Sequence, residues 1–321
     1  MQNNQPLLSI CIPTYNRASI LDGNLAVVYE QIKGKDFPIE VIVSDNCSSD
    51  NTSFIVNKYI TDGMKISYIR NNVNTGMDGN FAQCYRRANG KYILVLGDDD
   101  YLIDGKLEKL INYLRKGDYG LVHLKTNSNS SSEEVFYDPE KFLQNISYWI
   151  TYITSNIINS KYIEEYNFEQ YFGTYLTIVP LYLAASIKHE KNLIISERIF
   201  ADGIVSNTNG GYNFFEVFLE NYLRLWRTFV SNGQISSSLY RFIKHDIYKR
   251  FLIPNIYNLL IKKDVNNYRL ENSWGNLLKQ YAFCSYFYFD PLIFITKSIA
   301  IKIFRKQRKI TSTIASNLIR D

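Results

Sequence analysis

Tyr92-Ile93-Leu94-Val95-Leu96-Gly97-Asp98-Asp99-Asp100 is the stretch on which the fold turns. Five apolar residues, punctuated by Gly90 before and Gly97 after, read as a short strand buried on both faces. Three carboxylates then follow at once. Like charges crowded at a strand end repel one another unless a cation compensates, and a hard divalent metal such as Mg²⁺ or Mn²⁺ is suited to that task. The opposing reading is a solvated turn whose acids favour the start of the next helix.

Working outward, similar apolar runs occur at Leu7 to Ile12, Ile39 to Val43, Ile66 to Ile69 and Leu121 to Leu124. Helix-like stretches alternate with them: Ser19 to Ile32, Ser49 to Tyr59, Asn80 to Ala88 and Lys106 to Arg115. This alternation predicts an α/β fold with a Rossmann-like, mostly parallel sheet flanked by helices. Ligands of such sheets bind at the carboxyl ends of the strands. The polar residues cluster there: Pro13-Thr14-Tyr15-Asn16-Arg17 after the first strand, Ser44-Asp45-Asn46 after the second, Asn71 to Gly76 after the third, and the aspartates after the fourth.

Beyond the fifth strand, Asn127 to Ser132 reads as a loop, Tyr137 to about Lys191 as largely helical, and Leu193 to Ile195 as a short strand. Asn207 to Gly211 is a turn, and Tyr212 to Val230 and Leu239 to Lys262, the latter containing Pro254, read as helices. The expected organisation is a nucleotide-binding and catalytic unit over 1–215 and a largely helical C-terminal extension over 216–321.

Of 321 residues, 46% are hydrophobic and 21% charged, proportions of a globular chain able to bury a sizeable core. The net charge of +5 is local: Lys302, Arg305, Lys306, Arg308, Lys309 and Arg320 carry it, and the 300 residues before Ile301 hold equal numbers of acids and bases. That excludes a polycationic nucleic-acid surface. Cys11, Cys47, Cys84 and Cys284 lack CxxC spacing and predict reduced thiols, and the N-terminus lacks a signal-peptide pattern, so a cytoplasmic location is expected. Segment 281–309 is aromatic and apolar, then basic. Asp290-Pro291 and Lys297 interrupt it, so it reads as an interfacial helix on anionic lipid, with about 1 kcal/mol per basic residue available near the surface, rather than a bilayer span. The alternative is a helix docked on the chain's own core.

His123, His189 and His245 have no zinc-ligand spacing, and neither a G-x-S-x-G elbow, a P-loop nor a G-x-G-x-x-G motif occurs.

Four segments in order, Ile10 to Arg17, Val43 to Asp50, Asn74-Thr75-Gly76 leading to Asn80, and Ala88 to Tyr92 ahead of the aspartates, resemble the family 2 glycosyltransferases of the GT-A fold. The resemblance covers roughly 7 to 125 and extends weakly to about 215. Within the family it is nearest to bacterial enzymes of O-antigen, lipopolysaccharide or capsule synthesis, abequosyltransferase-like ones among them. It implies a metal-dependent, inverting transfer of a hexose or deoxyhexose from a nucleoside-diphosphate donor to a saccharide acceptor, polyprenyl-diphosphate-linked, on the inner face of the cell membrane. Pro13, Thr14, Tyr15, Arg17 and Asp45 would then meet the nucleoside. Asn74, Gly76 and Asn80 would border ribose and diphosphate. Asp98, Asp99 and Asp100 would form the metal element, with Asp99 the direct contact.

The chain departs from the family pattern at three places. Gly97 stands where the first aspartate of Asp-x-Asp-Asp is expected, and Gly79 stands where an arginine often precedes the asparagine. Thr174-Tyr175 stands where a Glu-Asp pair supplies the base. Glu169 is the nearest carboxylate and the candidate for that role, with Glu197 and Asp202 as fallbacks, the opposing reading being that each is an ordinary surface acid. Two other functions stay open: a sugar-1-phosphate nucleotidyltransferase, and a sugar-nucleotide-binding protein of the same fold without transferase activity.

Overall fold

The computed structural model describes residues 5–125, 130–202, 211–261, 269 and 273–299. Strand β1 (Leu8–Thr14), helix α1 (Ala18–Ile32), β2 (Ile39–Asp45), α2 (Thr52–Thr61), β3 (Ile66–Arg70), α3 (Gly76–Arg87) and β4 (Tyr92–Val95) alternate as the apolar spacing predicts. They are followed by β5 (Asp100–Leu102), α4 (Lys106–Arg115), β6 (Leu121–Leu124), β7 (Ser132–Phe136), α5 (Pro139–Ile146), β8 (Asn156–Asn159), α6 (Val179–Lys188), β9 (Asn192–Ser196) and β10 (Phe200–Asp202).

The main sheet has the order β3-β2-β1-β4-β8-β6-β9-β7. β3, β2, β1 and β4 run parallel, in the register Leu8 with Ile39 and Leu8 with Tyr92. β8 enters antiparallel between β4 and β6, β6 pairs with β9 in parallel, and β7 closes the edge antiparallel. A second ribbon pairs β5 with β10, setting Asp100 opposite Asp202.

One correction concerns the middle of the chain. Tyr137 to Lys191 is not one helical region: 3-10 turns at Ser147–Thr151 and Ile153–Ser155 lead into β8, a strand in the centre of the sheet. Its four residues, Asn156-Ile157-Ile158-Asn159, are too few for periodicity to separate strand from helix. The asparagines gave no strand signal because their task is polar. Asn156 Nδ2 donates to the carbonyls of Tyr152 and Trp149, and Asn159 Nδ2 donates to the Tyr119 carbonyl. Residues 127–129 of the expected loop and 207–210 of the expected turn lie outside the described residues, and Ser132 opens β7.

The sheet separates two apolar layers. One face packs on α1, α2 and α4 through Leu21, Leu25, Val56, Leu107 and Leu110. The other packs on α3, α5 and α6 and continues into the C-terminal helices through Tyr85, Phe142, Tyr182, Trp226, Phe251 and Tyr281. Those helices are α7 (Tyr222–Ser231), entered by a π-helical segment Glu216–Asn221, then α8 (Ser237–Ile247), α9 (Ile253–Ile261), α10 (Ser273–Tyr281) and α11 over 285–299. The boundary expected at 215 therefore falls inside a continuous helical run, and the extension shares one core with the sheet. A π-helical turn at Tyr248–Leu252 joins α8 to α9 just before Pro254. Such a turn is a usual accommodation where a proline removes a helix donor.

Candidate functional site

β1, β2 and β4 end side by side, and their terminal residues face one another. Thr14 closes β1, and its hydroxyl donates to Asp98 Oδ2 at 2.9 Å. The chain then turns at Asn16, whose φ of 52° lies in the left-handed region that asparagine tolerates. That turn delivers Arg17 to the start of α1. The Arg17 guanidinium reaches Asp98 Oδ1 through Nη1 and Asp99 Oδ2 through Nη2, each at 2.7 Å.

The first two aspartates are thus held by one cation. Asp98 is buried, 2% exposed. Burial pushes its carboxyl up to about 6; Asp99 and Asp100 push the same way, while Arg17 and the Thr14 hydroxyl oppose them. Asp99 is 38% exposed and faces outward. Asp100 turns elsewhere: its Oδ2 accepts from the Thr154 hydroxyl at 2.5 Å, and that same hydroxyl accepts from the Gly97 N–H at 3.0 Å. The three carboxylates expected as one ligand set are therefore divided. Among the described residues no group of three or more His, Cys, Asp or Glu converges for a metal. What fits is a cation taken by one outward carboxylate and completed by substrate phosphates, a usual arrangement for Mg²⁺.

Packing accounts for two departures from the family pattern. A Cβ on Gly97 would meet Asp100 Oδ2 at 2.8 Å and Asp99 Oδ1 at 3.1 Å, so the inward turn of Asp100 fills the room a side chain there would need. A Cβ on Gly79 would meet Cβ and Oγ1 of Thr75 at 2.7 Å. The turn at 97–100 is further fixed by Asn24 of α1, whose Nδ2 donates to the carbonyls of Gly97 and Asp100 at 3.1 and 2.7 Å.

At the end of β2, Asp45 is fully buried and already engaged, accepting from Ser48 N and from the Tyr68 hydroxyl at 2.8 and 2.7 Å. Its neighbour Asn46 organises the approach to α3. Asn46 Nδ2 donates to Asn74 Oδ1 and the Gly76 carbonyl, and its Oδ1 accepts from Thr75 N and Asn71 Nδ2. Asn80 is buried and ties α3 to β2 through Ser44. Asn74, Gly76 and Tyr15 are exposed at the rim, and Pro13 is half-buried behind them. Asn24 and Thr154 were not singled out from sequence, and Asn46 was noted at the strand end without a role. Asn46 carried a signal, since it follows the strand-end aspartate, whereas Asn24 and Thr154 sit in stretches that read as ordinary helix.

Of the carboxylates proposed as base, Glu169 and Glu197 are engaged elsewhere, whereas the backbone of Asp202 stands opposite Asp100 on the β5–β10 ribbon. Glu169 is exposed and pairs with Arg86 at 2.6 Å, which lowers its pKa. Arg86 is at the far end of α3, ten residues from Gly76 and so roughly 15 Å along the helix. The structure does not bring Glu169 to the strand ends. Glu197 is buried and bound to Lys106, Lys109 and Tyr113 at 2.5, 3.0 and 3.1 Å, and the side chain of Asp202 lies outside the described residues. A carboxylate does stand beside the Thr174-Tyr175 segment, supplied by α3. Asp78 Oδ2 accepts from the N–H groups of Gly173 and Tyr175 at 2.9 and 3.2 Å. It holds a loop in which both residues have positive φ, 81° and 58°. Asp78 is 7% exposed, so its task is to position that loop.

Residues 9–177 match the sequence profile of Glycosyl transferase family 2. Abequosyltransferase RfbV of Salmonella typhimurium is 39% identical over 109 residues, 34% of this chain and 32% of its own. The GalNAc(5)-diNAcBac-PP-undecaprenol β-1,3-glucosyltransferase of Campylobacter jejuni is 35% identical over 124 residues, 38% of each chain. The match thus spans about a third of the length of these two curated relatives. In three dimensions it is similar to S. aureus TarS 1-349 in complex with UDP, with a TM-score of 0.59 at 20% identity, covering 85% of this chain and 80% of that one. At that identity the likeness speaks to the fold, which is GT-A.

Proposed function

The chain belongs to glycosyl transferase family 2, and from that premise we propose that it transfers a sugar from a nucleoside-diphosphate donor to a saccharide acceptor, with inversion. The observation that carries this reading is the Arg17 bridge between buried Asp98 and outward Asp99, set where β1, β2 and β4 end beside the N-terminus of α3. A strand-end crevice flanked by a helix N-terminus suits a diphosphate. Tyr15, Asn74 and Gly76 are exposed there with Pro13 half-buried behind them, on the side where the nucleoside would lie.

Asp99, with the donor's phosphates, would hold a Mg²⁺ or Mn²⁺ ion, whose charge supports departure of the nucleoside diphosphate. Arg17 contributes a second, permanent positive charge on the same side of the crevice. The acceptor we assign is a polyprenyl-diphosphate-linked saccharide at the cytoplasmic membrane face, in synthesis of O-antigen or a related surface polysaccharide. Support for the lipid-linked acceptor comes from the name of the undecaprenol-linked glucosyltransferase relative.

Thermal stabilisation by nucleoside diphosphates and their sugars, with and without Mn²⁺, tests the donor side, because a ligand that binds only the folded state raises the melting temperature. A shift with one nucleotide that grows with Mn²⁺ and disappears in Asp99→Ala is expected. Transfer activity retained in full by Asp99→Ala would sink the metal assignment. Donor binding without transfer to any lipid-linked acceptor would leave a binding protein of the same fold.

A further inference from the structure

Helix α11 is apolar on nearly every side, yet among the described residues only one of its faces is covered. Tyr286, Phe287 and Phe294 pack on the C-terminal core, and Asp290, 8% exposed, lies on the same side. Asp290 Oδ2 meets His245 Nε2 at 2.7 Å, and Lys249 lies 3.9 Å from its other oxygen. Tyr286 stacks on His245 with ring centroids 4.0 Å apart. Pro291 cannot donate to the carbonyl of Phe287, one turn back, and the Tyr248 hydroxyl fills that place at 2.8 Å. The helix thus runs through the Asp290-Pro291 pair that the sequence presented as an interruption, and its inner face is fixed by polar contacts as well as apolar ones.

The other face is bare. Phe289, Leu292, Ile293 and Ile299 are 63, 61, 46 and 51% exposed, and their spacing of three, four and seven residues sets them on one stripe of the helix. Phe283, in the turn before it, is fully exposed. An apolar stripe of this kind on a pinned helix marks an interaction surface. Its charges indicate the partner. The helix's one acid, Asp290, is turned inward and paired, whereas Lys297 is exposed, and the sequence continues within twelve residues into Lys302, Arg305, Lys306, Arg308 and Lys309. Exposed aromatic and aliphatic groups without an acid, followed by a cluster of bases, suit an anionic bilayer. Among the described residues no helix is long and apolar enough to cross a membrane.

We propose that the outer face of α11 docks the protein on anionic lipid, burying Phe283, Phe289, Leu292 and Ile293 at the headgroup boundary. The inference deepens the proposed function, resting on it only in that a lipid-linked acceptor calls for such a surface.

The test is sedimentation of the full chain with vesicles of phosphatidylglycerol and phosphatidylcholine, against phosphatidylcholine alone. Donor-induced thermal stabilisation is followed in the same preparations, so that loss of docking and loss of donor binding are separately visible. Salt-sensitive binding to the anionic vesicles is expected. Leu292→Asp with Ile293→Asp should weaken it about tenfold or more, with donor stabilisation unchanged. Lys302→Glu with Lys306→Glu should weaken it while leaving the apolar stripe intact. No binding to anionic vesicles by a folded, donor-responsive protein overturns the proposal. So does a self-association that the Leu292/Ile293 pair abolishes without any effect on vesicles, which would assign the face to a second copy.

Discussion

Arg17 and Asp99 meet at 2.7 Å although 82 residues separate them, because the turn after β1 and the turn after β4 open on the same edge of the sheet. The bond takes half of a guanidinium whose other half holds buried Asp98. Arg17→Ala would leave Asp98 buried with only Thr14 as a partner among the described residues, and removing one partner of such a pair costs about 3 kcal/mol. Urea denaturation should show that loss. Arg17→Lys, a single-point cation, should recover part of the stability but not span both carboxylates. Asp99→Asn leaves Asp98 paired, so it should fold as the parent does while transfer falls roughly a hundredfold or more. Equal loss of stability in the two variants would contradict this division of labour.

The alternating βα pattern through β4 was legible because each strand is an apolar run closed by turn residues and each helix shows a buried stripe. The position of the site followed from that, since polar residues at strand ends stand out against apolar strands. Its inner wiring was not legible. Asp98, Asp99 and Asp100 are equivalent in sequence, and only the placement of Thr14, Arg17 and Thr154 makes one buried, one outward and one committed to the turn. β8 escaped for a similar reason, its partners in the sheet lying about 35 to 65 residues earlier in the chain.

Gly97 and Gly79 are sites where restoring the family residue should do harm. Gly97→Asp puts a Cβ into the space of Asp100 Oδ2 and adds a fourth carboxylate to the turn, and Gly79→Arg presses on Thr75, which Asn46 holds. Each should cost about 1–3 kcal/mol. A rise in transfer rate with unchanged melting temperature in Gly97→Asp would show that the turn has room that the packing denies.

Glu197 predicts the acid limit of the fold. Burial alone would raise its pKa, but Lys106, Lys109 and Tyr113 outweigh that and hold the carboxyl at about 2, below its ordinary value of 4.5. A depressed folded-state pKa gives stability that is present above pH 4.5 and is lost as pH falls toward 2. Glu197→Gln should therefore be less stable than the parent at pH 7 by about 3 kcal/mol, since each tenfold change in proton affinity is worth about 1.4 kcal/mol. The difference should shrink steadily below pH 4.5. A constant difference across that range would mean that the loss comes from packing.

Asp78 gives the opposite sign. Burial raises its pKa more than the N–H groups of Tyr175, Gly173 and Thr177 lower it, and among the described residues Oδ1 is buried without a hydrogen-bond partner. Its charge is therefore a cost to the folded state at neutral pH. That cost is relieved as pH falls through the raised folded-state value toward the ordinary one. Asp78→Asn keeps an acceptor for both N–H groups and should stay within about 1 kcal/mol of the parent at pH 7. The parent should then gain on the variant as the pH is lowered. Asp78→Ala leaves both N–H groups without that acceptor and should cost about 1–3 kcal/mol. It should also free the loop that carries Tyr175, whose ring lies 5.2 Å from that of Tyr212, so the Michaelis constant for acceptor should rise more than that for donor. Chemical denaturation across pH, together with separate donor and acceptor titrations, reads both effects. An unchanged acceptor constant in a folded Asp78→Ala protein would show that the loop does not touch the acceptor.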